Sequence, residues 1–251
     1  MKPSENWMRL WEKSRQKLKS PVDFNEYFTL PQIAGRELAV MDIGPVSIPT
    51  GDILVRDPLC YLEDRREEPY FQKVPVGTFQ TEVCVVKPCA GDCARYAAVR
   101  VRFSGAPAVE FAEALVGTEN LEGLDEGEYF GFNVDAGLGC ICDKAVQEAF
   151  CGFAERWYLE HFEGNLYDDY FAALFAQSYR ERPMYQREGG DWLNWQVPGT
   201  EYHLPFFQSG FGDGVYPVYF GYDQEGRICQ LVVQMIDLQL AYSSSKDAKN
   251  G

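Results

Sequence analysis

Two glycine-rich stretches gather the residues whose types and spacing suit chemistry. The first is Asn133-Val134-Asp135-Ala136-Gly137-Leu138-Gly139-Cys140-Ile141-Cys142-Asp143. It follows a strand-like run and precedes a helix-like one, where backbone N–H groups can gather around an anion. Gly137 and Gly139 are spaced as in a dinucleotide fingerprint, but Cys142 takes the third glycine position and no parallel strand–helix–strand unit flanks them. So partial a match assigns no nucleotide. Asp135 ends a strand, where a carboxylate can project into a cleft; it is equally a turn former that bonds its own following backbone. Asp143 reads as a helix N-cap.

The second stretch is Ser209-Gly210-Phe211-Gly212-Asp213-Gly214-Val215-Tyr216. Its glycines imply an unusual backbone path or the close approach of another group. Asp213 suits a metal ligand, an acid–base group or the polar corner of a turn, and the Asp-Gly dipeptide favours the turn. Ser209 lacks the G-x-S-x-G setting of a hydrolase elbow and is not read as a nucleophile. Asp135 and Asp213 are the two weak metal-ligand candidates.

Cysteine and histidine add little. The eight cysteines (Cys60, Cys84, Cys89, Cys93, Cys140, Cys142, Cys151, Cys229) form no paired C-x-x-C knuckles, so structural zinc is not expected. In a chain this long they read as reduced thiols of a cytoplasmic protein, several of them filling apolar positions. His161 and His203 are the only histidines, too few for a His-rich metal site. No cofactor is expected.

The elements that must position these loops are legible in part. Ser4 caps an amphipathic helix over residues 1–20, with Trp7, Leu10, Trp11 and Leu18 on one side and Pro21 at its end. Thr78 to Val86 and Ala97 to Phe103 alternate with period two and read as half-buried strands. Val109 to Val116 reads as a short helix and Tyr129 to Val134 as a strand. Behind Asp143 a helix buries Val146, Ala149, Phe150, Phe153 and Trp157 at helical spacing, and Asn165 with Asp168 opens another. Val215 to Tyr222 and Arg227 to Ile236 read as strands joined by Asp223-Gln224-Glu225-Gly226, a hairpin connection that uses glycine for its left-handed residue. Strands at both ends with helices between predict an α+β fold: a mostly antiparallel sheet built from N- and C-terminal strands, with a central helical segment packed against it. Residues 1–242 are expected to form a single domain, with 243–251 as a disordered tail.

Composition bounds the rest. The chain has 251 residues, 46% apolar and 15% aromatic, and a formal charge of −15. That is the composition of a folded globule. A charge of this sign opposes phosphate backbones and anionic lipid, so neither nucleic acid nor a membrane is expected as a partner. It suits a basic protein.

Four stretches resemble an uncharacterised bacterial family, domain of unknown function 4241. They are Pro49-Thr50-Gly51-Asp52-Ile53-Leu54-Val55-Arg56-Asp57-Pro58-Leu59, Val74-Pro75-Val76-Gly77, Val134-Asp135-Ala136-Gly137-Leu138-Gly139-Cys140 and Ser209-Gly210-Phe211-Gly212-Asp213-Gly214-Val215-Tyr216-Pro217-Val218. Phe211 stands where that family has tryptophan and Phe79 where it has tyrosine. The resemblance brings no activity, cofactor or catalytic residue. It implies that Asp52, Asp57, Asp135 and Asp213 belong to a common pattern, and with Gly137, Ser209 and Tyr216 they are the candidate cleft residues.

Two readings follow. The leading one is a non-catalytic intracellular protein that binds a protein or small-molecule partner. The alternative is a metal-assisted hydrolase, in which the aspartates of the two loops hold a divalent cation and activate water. It requires Asp52, Asp135 and Asp213 to share one cleft wall.

Overall fold

The computed structural model describes residues 2–243, so the expected tail lies, apart from Ser243, outside the described residues. In chain order the elements begin with helix α1 (Glu5–Ser14) and the single turn α2 (Phe24–Tyr27). Strands follow: β1 (Gln32–Ile33), β2 (Arg36–Ile48), β3 (Ile53–Arg56), β4 (Gly77–Val86), β5 (Arg95–Arg102), β6 (Glu110–Glu113), β7 (Phe132–Val134) and β8 (Leu138–Asp143). Helix α3 (Lys144–Glu160) comes next, then a π-helical turn (Tyr167–Phe171) that runs directly into α4 (Ala172–Glu181). The chain closes with β9 (Trp192–Gln196), β10 (His203–Gln208), β11 (Gly214–Tyr216), β12 (Val218–Tyr222), β13 (Ile228–Gln234) and helix α5 (Leu238–Tyr242).

Every ladder is antiparallel. Seven strands form one sheet in the order β1-β2-β4-β5-β13-β12-β6. Within it β13 lies between β5 and β12, with Val233 opposite Val99 on one side and Val218 on the other. N- and C-terminal strands thus share one sheet, as the sequence predicts. A second sheet, β3-β8-β10-β9, carries α3 and α4, and β7 with β11 makes a separate ribbon.

Of three apolar clusters among the described residues, one gathers Trp7, Leu18 and Leu115 around α1, and the other two follow from this layering. The larger includes Val83, Val99, Phe220 and Val233 of the seven-stranded sheet, together with Phe24 of α2. The smaller joins Val146, Phe150, Phe153 and Trp157 of α3 to Phe171, Trp195 and Phe206. Asp143 starts α3 by accepting from the Ala145 N–H at 2.9 Å, and it also accepts from Thr50 N and Gly51 N at 3.0 Å each. One carboxylate therefore caps the helix and pins the neighbouring turn. In the last hairpin the Asp223 carboxylate accepts from Glu225 N and Arg227 N, and Gly226 is left-handed at φ +71°.

The structure corrects four local expectations. Helix α1 is capped by Ser4 but stops at Ser14, and Leu18 is buried in the following turn, whose Lys19 bridges Ala112. Val109 to Val116 is not a helix: Glu110–Glu113 is strand β6, because pairing with β12 buries Phe111 and Glu113 while Val109 stays exposed. Half of the 133–143 stretch is strand β8, buried throughout between β3 and β10, so it is not a loop wrapped around an anion. Val215 to Tyr222 is split at Pro217, which has no N–H for a ladder; β11 pairs with β7, and β12 with β13.

Candidate functional site

The two glycine-rich stretches meet. The Ser209 N–H donates to the Gly137 carbonyl at 3.0 Å, and the β7–β11 ribbon sets Gly214 against Val134 and Val215 against Asn133. Asp57, buried just after β3, fixes the first stretch. Its Oδ2 accepts from Asp135 N at 3.0 Å and Ala136 N at 2.6 Å, and its Oδ1 from Leu59 N at 3.0 Å. The second stretch is closed by its own side chains. Ser209 Oγ donates to the Gly212 carbonyl at 2.6 Å, and Tyr216 Oη donates to the same oxygen at 2.7 Å. Asp57, Ser209 and Tyr216 therefore shape the loops from within.

The other candidates stand apart. Asp135 accepts the Tyr61 hydroxyl, which pushes the Tyr61 phenol up. Asp213 sits exposed at the tip of its loop. Asp52 belongs elsewhere: its carboxylate pairs with Lys73, and its carbonyl accepts the Lys144 N–H beside the α3 cap. The shared aspartate wall that a metal-assisted hydrolase needs is not assembled. Among the described residues no three His, Cys, Asp or Glu side chains come together as a metal-ligand set.

Beside the loop junction opens a cleft of about 840 Å³. Cys60, Gly137 and Gly212 line it. Arg95, Arg187, Gln208, Glu63, Tyr158 and Tyr167 are among the other residues that line it. Gly137 and Gly212 are left-handed at φ +67° and +98°, and a Cβ on either would meet nothing within 4 Å, so their backbone is open to an approaching group.

The electrostatics decide what these groups can do. Partial burial and the charges of Asp57, Asp135 and Asp213 push the Cys60 thiol up. It is held as the thiol, the poor form for a nucleophile. His161 is stacked on Trp157 with Nδ1 on the Trp157 carbonyl, and His203 Nδ1 meets Asn194 Oδ1 at 2.9 Å. Among the described residues neither imidazole hydrogen-bonds to a hydroxyl or thiol, so no histidine is aligned with a nucleophile. The arrangement can bind through hydrogen bonds, charge and ring faces.

Sequence reasoning missed most of the walls. Arg187 and Asp191 form a closed pair, with Arg187 N donating to Asp191 Oδ2 at 2.6 Å and Nε to Oδ1 at 2.8 Å. The one local signal was Gly189-Gly190: a Cβ on Gly190 would lie 2.2 Å from the Phe175 carbonyl, so the chain must press against α4 there. Nothing in the spacing of Arg95, Gln208, Tyr158 or Glu63 marks them.

The architecture and loops can now be set beside known proteins. The family model described as "Protein of unknown function (DUF4241)" matches residues 46–233. The chain belongs to this family. Its match runs from the end of β2 to the end of β13 and includes both glycine-rich stretches and Asp57. No curated protein and no solved structure matches the chain.

Proposed function

We propose that this DUF4241 member is a non-catalytic binding protein of the bacterial cytoplasm whose ligand seats in the cleft beside the Ser209–Gly137 junction. Residues 1–242 act in this reading as one domain, since the cleft takes Arg95 from the seven-stranded sheet and Gln208 from the smaller one. The observation that carries the reading is the convergence itself. Two stretches distant in sequence are joined backbone to backbone and each is braced by a side chain, and the backbone they leave open faces a cleft of about 840 Å³. That volume lies within the range of roughly 300–1,000 Å³ typical of ligand sites. No helix of the described residues is long and apolar enough to cross a membrane. The hydrolase reading has less support, because Asp135 is engaged by Tyr61 and Asp52 lies with Lys73.

The test is thermal melting against a panel of small metabolites and divalent metals, run on the natural chain and on Cys60→Trp, which puts a bulky ring on the cleft lining. A ligand at a hundredfold its Kd adds about 2.7 kcal/mol, or roughly 5–11 °C at this size. The expected result is a shift of that order that Cys60→Trp abolishes. A shift produced by one divalent metal and lost in Asp135→Asn or Asp213→Asn would overturn the reading in favour of the hydrolase.

A further inference from the structure

A second groove, of about 410 Å³, runs beside β9, which ends the smaller sheet. All five residues of β9 line it. Side chains on a strand alternate between faces, so a groove that meets every residue in turn follows the strand's edge. Helix α4 covers one face of β9, where Leu193 and Trp195 join the cluster that holds Phe175 and Leu174. On the other face Asn194 Nδ2 donates to the Pro45 carbonyl at 2.7 Å, which pins the bulge of β2 against β9. Both neighbours border the groove: Leu174, Gln177, Ser178 and Glu181 form one stripe of α4 at helical spacing, and Gly44 and Pro45 belong to the bulge.

The backbone of β9 faces that groove with its own hydrogen-bonding groups. Just past the two ends of the β9–β10 ladder, Gln208 N donates to the Asp191 carbonyl and Val197 N to the Tyr202 carbonyl, each at 2.9 Å. Residue pairs in an antiparallel ladder alternate between bonded and non-bonded. Counting inward from either end, Leu193 and Trp195 bond to β10, while the N–H and C=O groups of Trp192, Asn194 and Gln196 point away from it. The Trp192 N–H agrees, since it reaches Gln186 Oε1 at 3.3 Å. Among the described residues β9 pairs with no strand other than β10. Such an edge is matched by another extended backbone and not by a helix, which spends its own groups internally. Charge does not choose the occupant, because Glu181 and Arg182 both line the groove.

We propose that this groove binds an extended segment of another protein, which adds a strand to β9 through the backbone of Asn194 and Gln196. A groove bordered on both faces admits a lone strand; the β9 of a second copy would bring its own α4 and bulge against this pair. The segment's side chains alternate between α4 and the β2 bulge, and it carries no proline where its N–H meets a β9 carbonyl. This site is separate from the cleft at Ser209 and Gly137 and stands whether or not that cleft is filled.

The experiment selects random heptapeptides displayed on phage against the purified chain and follows the enriched sequences, made as blocked peptides, by 1H–15N NMR. The expected result is saturable shifts at Asn194 and Gln196, with hydrogen exchange there slowed by about tenfold or more and little change at Leu193 and Trp195. N-methylation of the peptide should weaken binding by about fivefold or more at every second residue and hardly at those between, because only alternate N–H groups meet the edge. Gln177→Trp, which puts a ring on the groove lining from an exposed position, should abolish binding. Arg180→Trp, exposed on the same helix outside the groove, should leave it unchanged. Peptides that shift Gly137 and Gly212 instead would support the cleft as a binding site and overturn the strand addition. Shifts at Asn194 and Gln196 that need only more protein, with a dimer in sedimentation, would put a second copy on β9 and overturn the proposed partner. No enriched peptide, or binding indifferent to N-methylation and to Gln177→Trp, overturns the proposal and leaves the cleft reading to its own test.

Discussion

The Ser209 N–H donates to the Gly137 carbonyl at 3.0 Å, and with the β7–β11 ribbon that bond joins the two glycine-rich stretches into a single structure. Asp57 binds the first from below and the Ser209 and Tyr216 hydroxyls close the second. The polar residues that look most chemical in the sequence are therefore the framework, and the cleft is lined by residues the framework presents.

Asp57 is the first test of that framework. Asp57→Ala leaves the N–H groups of Leu59, Asp135 and Ala136 without acceptors. The expected loss is about 2–4 kcal/mol, read as a lower midpoint in urea with an unchanged slope. Asp57→Asn, which retains one acceptor oxygen, should fall between the two. A midpoint unchanged in the alanine variant would show that the 135–136 turn holds itself.

The Gly212 carbonyl provides a double-mutant cycle. Ser209→Ala and Tyr216→Phe each remove one of its two donors and should cost about 1 kcal/mol for the lost hydrogen bond. Together they remove both, so the double variant should cost more than the sum of the singles. Strict additivity in chemical denaturation would mean that the two hydroxyls act independently.

Glu113 gives a pH dependence whose sign is unusual for a carboxyl. It is buried on β6, its Oε1 accepts from Phe130 N and Gly131 N at 2.8 Å each, and its Oε2 has no partner. Burial pushes its pKa up to about 7, with the nearby Glu119 adding to the rise against the two backbone bonds. Between the ordinary glutamate range and pH 7 the folded chain holds a proton that the unfolded chain has released. Stability from this residue is therefore full at low pH and declines as pH rises, by about 3 kcal/mol in all. Glu113→Gln keeps an acceptor for both N–H groups and should flatten the decline, gaining most over the natural chain near pH 8. Equal denaturation midpoints of the two proteins across pH 5 to 8 would refute it.

Cys60 reports the field at the cleft. Burial and three aspartates hold its thiol up. Removing the exposed charge in Asp213→Asn should speed alkylation of Cys60 by iodoacetamide at pH 8 by about twofold, since the thiolate is the reacting form. Peptide mass spectrometry gives the rate at Cys60 apart from the other thiols. A rate that does not change places Asp213 too far away to matter.

What the sequence made legible was what is decided locally. The Asp143 and Ser4 caps and the 223–226 hairpin depend on neighbours a few residues away, and all are present; β4 and β5 are strands as expected, but Val83–Val86 and Tyr96–Val101 are buried on both faces rather than on one. The family resemblance and the α+β architecture also hold. Failures came where distant partners decide. Residues 109–116 have an apolar spacing that either a helix or a strand accepts, and β12 selects the strand. Strand β8 was hidden because a run buried on both faces has no alternation to show. The aspartates shared one pattern in sequence but divide in space, Asp57 beneath the loops and Asp52 beside Lys73. The cleft walls come from β5, α3, the segment after α4 and β10, so no window of sequence contains them.

The place of β13 has a consequence for how the chain is made. It lies between β5 and β12, and its residues, Ile228–Gln234, are made long after those of β5, Arg95–Arg102. Until it emerges from the ribosome, β5 is an open strand edge that offers the backbone groups of Arg95–Arg102 and the apolar surface of Tyr96, Val99 and Val101 to any other chain. Closing the sheet late, through contacts far apart in sequence, makes folding slow and the nascent chain prone to aggregate. A message truncated just before β13 would leave that edge permanently open, so the cell would meet such a product as a substrate for chaperones and proteases.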